Sequence, residues 1–131
     1  MKKLQNFIGI KSNIIGIIPV RMKASRFPGK PLKKIINFTM LEHVYLRAKF
    51  FKSWKLLIVA TCDKEIINFC KIKKIPCIMT SNKHTRCLDR VHEAAHKIKV
   101  NLNNSDVVVC VQGDEPMLTA DMITETIKPI Y

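Results

Sequence analysis

A run of seven residues without a charged, hydroxyl or amide side chain, Ile14–Val20, constrains the fold more than any other feature of the sequence. Apolar stretches within residues 56–61, 76–80 and 106–112 complete a set of four predicted strands. Runs of adjacent apolar residues, in place of strict alternation, are typical of parallel strands covered on both faces. Because helical periods separate the four segments, we predict an α/β fold with a mostly parallel, doubly wound sheet and helices on both faces.

Periodic apolar residues predict four helices between and after these strands. The first begins at a capping box formed by Thr39 and Glu42. The second follows Asp63 as its N-cap, and the fourth begins at Thr119 or Asp121. The third helix is predicted to bury one apolar face, which consists of Leu88, Val91, Ala94, Ala95 and Ile98.

The length of 131 residues suits a single domain, and no linker or internal repeat divides residues 1–131. The apolar runs are too short to span a bilayer, so no membrane insertion is expected. Polar residues after Met1-Lys2-Lys3 interrupt any signal-peptide core, which favours a cytoplasmic protein. The last predicted helix begins close to Tyr131, from which we expect a truncated domain that lacks its second half.

The formal net charge is +13, from 23 Lys and Arg residues against 10 Asp and Glu residues. Such a charge indicates either solvated lysines on helix faces or attraction to polyanions. The single Trp, and the lack of a basic segment with interleaved aromatic residues, argue against a nucleic-acid partner. The five cysteines include no C-x-x-C pair and are odd in number, which argues against a zinc site or a disulfide framework.

A cationic loop follows the first predicted strand. It carries Arg21, Arg26 and Lys30, with Ser25 and Gly29 between them. Guanidinium, ammonium and backbone N–H groups together bind phosphate, although neither the P-loop pattern nor G-x-G-x-x-G is present. The alternative is a solvated basic loop, which the three prolines in this segment disfavour because they stiffen it. The loop therefore makes a nucleotide the first ligand to consider.

A second polar segment, Gln112-Gly113-Asp114-Glu115, follows the fourth predicted strand. The carboxyl ends of parallel strands share one edge of a sheet, where open α/β proteins bind ligands. A carboxylate such as Asp114 beside a polyphosphate suits Mg²⁺, and the Gln112 amide suits a base edge. Gly113 would let the backbone approach a ligand closely. The alternative is an acidic turn that leads into a helix.

The segment after the third predicted strand carries His84, Asp89 and Arg90. It leaves the same predicted edge of the sheet, so these side chains are candidate contacts for a base or substrate. The alternatives are a surface histidine, a helix cap at Asp89 and a solvated charge at Arg90. The sequence pattern leaves both interpretations open.

Taken together, these segments resemble the cytidylyltransferases that activate 3-deoxy-manno-octulosonate (Kdo), the CMP-Kdo synthetases. The order and separation of the matching pieces agree along most of residues 14–125. The pieces are Ile17-Ile18-Pro19-Val20-Arg21, Ser25-Arg26-Phe27-Pro28-Gly29-Lys30-Pro31-Leu32, Ala60-Thr61, Met79-Thr80, His84, Asp89-Arg90 and Val111-Gln112-Gly113-Asp114-Glu115-Pro116.

The resemblance implies a Rossmann-like nucleotidyltransferase fold and the reaction of CTP with Kdo to give CMP-Kdo and pyrophosphate, with Mg²⁺, for lipopolysaccharide biosynthesis. The residues it implies for triphosphate binding are Arg21, Ser25, Lys30 and, as an assisting group, Arg26. It further implies that Arg21 and Lys30 carry catalysis, together with the metal, by neutralising charge. By the same resemblance Gln112 lies near the base or sugar, and Asp114 binds Mg²⁺.

Two local departures separate the chain from this family. Arg86-Cys87-Leu88 stands where the family has a Ser-Gly-Thr-like segment, which changes the expected base or sugar contacts. Cys62 separates Thr61 from Asp63, where the family commonly has Asp directly, so we expect an Asp contact to be shifted or lost.

Length is the third departure. Family members are considerably longer homodimers, and we expect the dimer region and a second metal-binding Asp to be missing from these 131 residues. Two alternatives to a CMP-Kdo synthetase therefore stay open: an inactive nucleotide-binding remnant, and a cytidylyltransferase for another acidic sugar.

Overall fold

A computed structural model describes residues 12–130 of the chain. The expectation that no signal peptide is present concerns residues 1–11, which lie outside the described range. The strands are β1 Ile14–Val20, β2 Lys34–Ile35, β3 Phe38–Thr39, β4 Leu56–Thr61, β5 Cys77–Met79 and β6 Val107–Cys110. The helices are α1 Met40–Ala48, α2 Lys64–Lys73, α3 Cys87–Lys97 and α4 Ala120–Ile127, with short 3₁₀ helices at Lys30–Leu32 and Lys128–Ile130.

The main sheet is parallel throughout, with the strand order β5-β4-β1-β6. Ile17 is in register with Ile58 of β4 on one side and with Cys110 of β6 on the other. The predicted first strand is confirmed at both ends, and β1 is buried along its whole length. The prediction of a parallel α/β sheet is therefore confirmed.

Helices cover both faces of this sheet. Alternate residues of β1 point to opposite faces: Ile14 and Ile18 pack in one core cluster, whereas Ile15 and Ile17 pack in another. The first cluster includes buried residues of α1, α2 and α4, and the second includes Val91 of α3 with its neighbours. Because helices cover both faces of the sheet, neither face of a strand is exposed to water, which explains why the strand sequences lack a polar face.

An antiparallel hairpin of β2 and β3 lies between the cationic loop and α1, and the sequence interpretation missed it. Each of its strands is only two residues long, so neither shows a readable period. Ile36 at the turn has φ 59°, a left-handed conformation that β-branched residues rarely adopt. The hairpin ends at Thr39, where α1 begins as predicted.

The predicted apolar face of α3 is correct in its centre and wrong at its first turn. Val91 and Ala94 are buried, but Leu88 is 62% exposed. The first turn of α3 extends to a cleft beyond the sheet, with Cys87 in the wall of that cleft, so Leu88 lies outside the packed layer. Among residues 12–130, no helix has the length and apolar character needed to cross a membrane.

Candidate functional site

The candidate site lies where the strand order of the sheet reverses. From β1 the chain adds β4 and then β5 on one side, and it later places β6 on the other side of β1. At such a switch point the loops that leave the two central strands diverge, and a crevice opens beyond their carboxyl ends. A cleft of about 230 Å³ occupies this crevice, and we name it the β1–β6 cleft.

Four of the predicted site residues line the β1–β6 cleft: Arg21, Lys30, Gln112 and Asp114. The Nζ atom of Lys30 lies 3.3 Å from Oδ2 of Asp114, although 84 residues separate them in sequence. Their side chains are 38% and 57% exposed. An ion pair this open contributes only about 0–1 kcal/mol, so an incoming ligand can replace it at little cost.

The backbone of the cationic loop turns at Gly29. Its φ of 73° lies in the left-handed region, which glycine adopts without a steric penalty. The Gly29 N–H donates to the Met22 carbonyl oxygen over 2.8 Å, which closes the loop on itself. The 3₁₀ helix that follows begins with Lys30 and carries this side chain to the cleft.

Asp63 holds the other end of this loop, and sequence reasoning missed that function. It occupies the predicted N-cap position of α2, but its side chain makes no capping hydrogen bond. Its Oδ2 atom instead accepts a hydrogen bond of 2.8 Å from the Met22 backbone N–H. The carboxylate that follows Cys62 therefore holds the backbone of the cationic loop at Met22.

The loop after β6 approaches β1 so closely that residue 113 has no room for a side chain. A Cβ atom on Gly113 would lie 2.4 Å from Cγ1 of Val20 and 2.8 Å from the Pro19 carbonyl oxygen. This approach places the next residue, Asp114, opposite the cationic loop. The sequence predicted a glycine here for close approach to a ligand, whereas the close neighbours in the structure are atoms of β1.

A second cleft, of about 290 Å³, lies beside the first and shares Pro19, Val20 and Arg21 with it. We name it the α3 cleft, because its other wall is the first part of α3 and the loop before it. That wall consists of His84, Thr85, Arg86, Cys87 and Arg90.

The Gln112 amide links the two clefts through a weak contact of 4.0 Å from its Nε2 atom to Sγ of Cys87. Behind Cys87 lies Cys110, where burial, with a further contribution from the Cys87 thiol, raises the pKa to about 11. The Cys110 thiol is therefore protonated at neutral pH.

Three other predicted site residues lie outside both clefts. Ser25 and Arg26 are exposed on the cationic loop, and Asp89 is exposed in the first turn of α3; none of the three lines either cleft. Arg90, by contrast, is only 3% exposed and is no solvated charge. Its Nη1 atom donates to Oγ1 of Thr80 over 2.5 Å.

Glu93 is a further charged residue near the α3 cleft that sequence reasoning missed. Hydrogen bonds from Lys97, the Ser81 backbone and His84 lower its pKa to about 2. A polar stripe at positions 90, 93 and 97 of α3, alongside the apolar stripe at 91, 94 and 98, is the pattern that would have indicated it.

The side-chain atoms of the β1–β6 cleft that can coordinate a metal ion are oxygens, the ligand type that Mg²⁺ prefers. The Asp114 carboxylate and the Gln112 amide oxygen are the available groups. Within residues 12–130, no group of three or more His, Cys, Asp and Glu side chains is arranged to hold a metal ion. Mg²⁺ is commonly bound by one or two carboxylates with substrate phosphates and water, and one carboxylate facing a phosphate-sized cleft fits that pattern.

Comparison with known proteins finds a family model and several named proteins that are similar to this chain. The family model described as "Cytidylyltransferase" matches residues 15–130. The 3-deoxy-manno-octulosonate cytidylyltransferase of Nitratidesulfovibrio vulgaris is 41% identical over 114 residues, which are 87% of this chain and 44% of that protein. The enzyme of the same name from Thermodesulfovibrio yellowstonii is 40% identical over 116 residues, 86% of this chain and 46% of that protein.

Among solved structures, a CMP:2-keto-3-deoxy-manno-octonic acid synthetase in complex with CTP superimposes with a TM-score of 0.80 at 32% identity. The match covers 90% of this chain and 48% of that chain. The present chain thus spans about half the length of the relatives that it matches.

Proposed function

Because the chain belongs to the cytidylyltransferase family, we propose that it binds CTP across the two clefts and serves the transfer of the cytidylyl group to Kdo, with release of pyrophosphate. One observation carries the proposal: the ends of β1 and β6 bring Lys30 and Arg21 together with Asp114 around one phosphate-sized cleft. The similarity to a synthetase solved with CTP gives the nucleotide. The names of the curated relatives give the sugar acid.

The triphosphate belongs in the β1–β6 cleft in this proposal. Arg21 presents a planar fork that suits two phosphate oxygens, and Lys30 presents a mobile point charge. Ser25 and Arg26 lie on the same loop and would reach the outer phosphates when a ligand is bound. Breaking the Lys30–Asp114 pair releases Lys30 for this purpose, and the open exposure of both groups keeps the energetic cost low.

The nucleoside end belongs in the α3 cleft, which joins the first cleft at Arg21. His84, Arg86 and the buried Arg90 are the basic groups of its wall, and Gln112 lies at the junction. Asp89, at the exposed start of α3, stays a predicted substrate contact. Arg86 and Cys87, the departures from the family sequence, lie in this wall, so differences in nucleotide preference are expected here.

The reaction needs positioning and charge neutralisation. An oxygen of a Kdo hydroxyl bonds to the α-phosphorus, the bond from that phosphorus to the bridging oxygen breaks, pyrophosphate leaves, and the hydroxyl proton passes to solvent. Lys30 and Arg21 stabilise the negative charge that grows on the leaving pyrophosphate. Mg²⁺, held by Asp114 and phosphate oxygens, supplies additional charge neutralisation when bound. No covalent intermediate with the protein is required.

Two measurements on the 131-residue chain test the proposal. Calorimetric titration with CTP in MgCl₂ measures binding, and pyrophosphate release with CTP and Kdo measures turnover. We expect saturable CTP binding that Lys30→Ala and Asp114→Ala each weaken by about tenfold or more, because Lys30 supplies a positive charge to the triphosphate and Asp114 is the proposed ligand of the Mg²⁺ that accompanies it. Matched controls are Lys33→Ala and Glu115→Gln, which change a neighbouring charge outside the β1–β6 cleft.

The outcomes separate the candidate functions. Binding together with pyrophosphate release from Kdo supports the enzyme, and release with a sialic-acid relative in place of Kdo identifies another acidic sugar as the substrate. Binding without release from any sugar acid supports nucleotide binding alone. If Lys30→Ala and Asp114→Ala both bind CTP as the unmodified chain does, the site assignment is wrong.

A further inference from the structure

Part of the wall of the α3 cleft belongs to a loop, residues 81–86, which has no regular secondary structure. It connects the end of β5 to the start of α3. A loop of this kind keeps a defined shape only when side chains from rigid elements hold it. Three polar side chains on one side of α3, at positions 90, 93 and 97, contact β5 or this loop.

Each of the three contacts a different part of the connection. Arg90 donates through Nη1 to Oγ1 of Thr80 and, over 3.2 Å, to the Ser81 carbonyl oxygen. Lys97 donates through Nζ to the Met79 carbonyl oxygen over 3.3 Å. Arg90 and Lys97 therefore bind residues 79–81, where β5 ends and the loop begins.

Glu93 contacts the loop itself. Its Oε2 atom accepts a hydrogen bond of 2.9 Å from the Ser81 backbone N–H and also contacts Nε2 of His84. Its Oε1 atom pairs with Nζ of Lys97 at 2.6 Å. An ionised carboxylate only accepts hydrogen bonds, so the Nε2 atom of His84 carries the hydrogen in this contact. The contact thereby fixes the orientation of the imidazole ring.

We propose that Glu93 is a positioning residue for the nucleoside end of the ligand: it holds the loop of residues 81–86 and the His84 ring in the shape that the α3 cleft requires. This inference rests on the proposed function. The hydrogen bonds and ion pairs of Glu93 reach none of the residues that line the β1–β6 cleft. Its effect is therefore confined to the base and ribose, and the triphosphate site is independent of it.

The carboxylate suits this role because it stays ionised. Hydrogen bonds from Lys97, Ser81 and His84 hold the pKa of Glu93 near 2, so it accepts from all three at any pH where the protein works. A Gln at this position keeps one acceptor oxygen but directs an N–H₂ group at a partner that is itself a donor. The substitution Glu93→Gln therefore breaks part of the network at nearly constant volume.

The test compares two probes on the 131-residue chain: CTP, which has a nucleoside, and inorganic tripolyphosphate, which has none. We expect Glu93→Gln to weaken CTP binding by about tenfold and to leave tripolyphosphate binding within about twofold of the unmodified chain. The matched control is Glu125→Gln, which removes the exposed ion pair between Glu125 of α4 and Lys128 just after that helix. This pair is far from the loop in sequence. A second variant, Lys97→Met, keeps the contacts of Glu93 to the loop and is expected to bind CTP nearly as the unmodified chain does.

Hydrogen exchange at the Ser81 amide is the readout that does not depend on a ligand. We expect faster exchange in Glu93→Gln and unchanged exchange in Glu125→Gln. A purely structural role would weaken both probes in proportion to lost stability, so equal losses for CTP and tripolyphosphate overturn the inference. So does a Glu93→Gln chain that matches the unmodified one with both probes. An unmodified chain that binds neither probe overturns the proposed function instead.

Discussion

At the residue scale, Gly113 shows how a single missing side chain sets the geometry of the site. Its Cα lies so close to the end of β1 that a methyl group would overlap both Val20 and the Pro19 carbonyl. The Lys30–Asp114 contact depends on that approach, because Asp114 follows directly in the chain. The Asp114 carboxylate is thus positioned by the lack of a Cβ atom at the residue before it.

Substitution of Gly113 by Ala is expected to reduce both stability and ligand binding. The backbone carbonyl of Pro19 has little freedom to move, so the loop after β6 must shift, at a cost of about 1–3 kcal/mol in the free energy of unfolding. Magnesium-dependent CTP affinity should fall as well, because Asp114 moves away from the cationic loop. Urea unfolding and calorimetric titration measure the two effects.

Gly29→Asn is the control for that experiment. The backbone at Gly29 has a left-handed φ of 73°, which Asn tolerates. The nearest atom to a Cβ at this position lies 3.6 Å away, so we expect only a small loss of stability. A Gly113→Ala chain as stable as Gly29→Asn would contradict the steric argument.

At the element scale, the start of α1 is defined twice by the same two residues. The Thr39 Oγ1 atom accepts a hydrogen bond of 3.1 Å from the Glu42 N–H, and Glu42 Oε2 accepts one of 2.8 Å from the Thr39 N–H. Glu42 also pairs with Lys73 of α2 at 3.0 Å, which joins the two helices. Both capping residues are buried, so unmade hydrogen bonds here would be costly.

Loss of this cap is expected to destabilise the protein more than loss of the cap of α4. Thr39→Ala removes a buried capping hydrogen bond and should lower the free energy of unfolding by about 1–2 kcal/mol. Thr119→Ala removes an exposed one, from the Met122 N–H over 3.2 Å, and should cost about 0.5–1 kcal/mol. Denaturant unfolding compares the two, with Thr39→Ser as the variant that keeps the hydroxyl. Equal losses would show that burial of the cap is irrelevant.

At the scale of the whole molecule, three carboxylates join parts that are distant in sequence, and the pKa of each lies below its usual value. Glu93 holds the loop beside the α3 cleft. Asp106 binds the backbone N–H of Asn13 over 2.6 Å, which ties the chain before β6 to the start of β1, and this hydrogen bond lowers its pKa. Burial alone would raise the pKa of Glu42, but hydrogen bonds from Thr39 and Lys73 outweigh it.

These lowered pKa values predict a loss of stability in acid. The unfolded chain binds protons at the usual carboxyl pKa and the folded chain only at a lower one, so stability is complete above that usual value and falls as the pH decreases. For Glu93 the window runs from its usual pKa of 4.5 down to about 2. Thermal unfolding measured between pH 7 and pH 2 should show a decline that begins near pH 4.5.

Glu93→Gln should flatten that decline, because the substitution removes one of the linked carboxylates. The control Glu125→Gln should leave the slope unchanged in the window that Glu93 governs. Parallel acid profiles for the unmodified chain and Glu93→Gln would contradict the linkage.

The regular elements were predictable because their determinants are local. The buried strand Ile14–Val20, the capping box at Thr39 and the helix start after Thr119 all have the predicted positions. The hairpin of β2 and β3 was not predictable, because two-residue strands carry no period. Likewise, the exposure of Leu88 depends on where the sheet ends, which no helical pattern contains.

Local sequence patterns are enough to specify the alternation of strands and helices and the charged and amide groups at the carboxyl ends of strands. Periodicity and capping act within a few residues of chain, so they are visible in one dimension. Which of those groups meet follows from the three-dimensional packing of the chain. Lys30 and Asp114 line one cleft because β6 pairs with β1. The Asp63 and Glu93 carboxylates accept hydrogen bonds from backbone N–H groups of loops that lie elsewhere in the sequence. Such contacts depend on strand order and loop path, which long-range packing of the whole core selects.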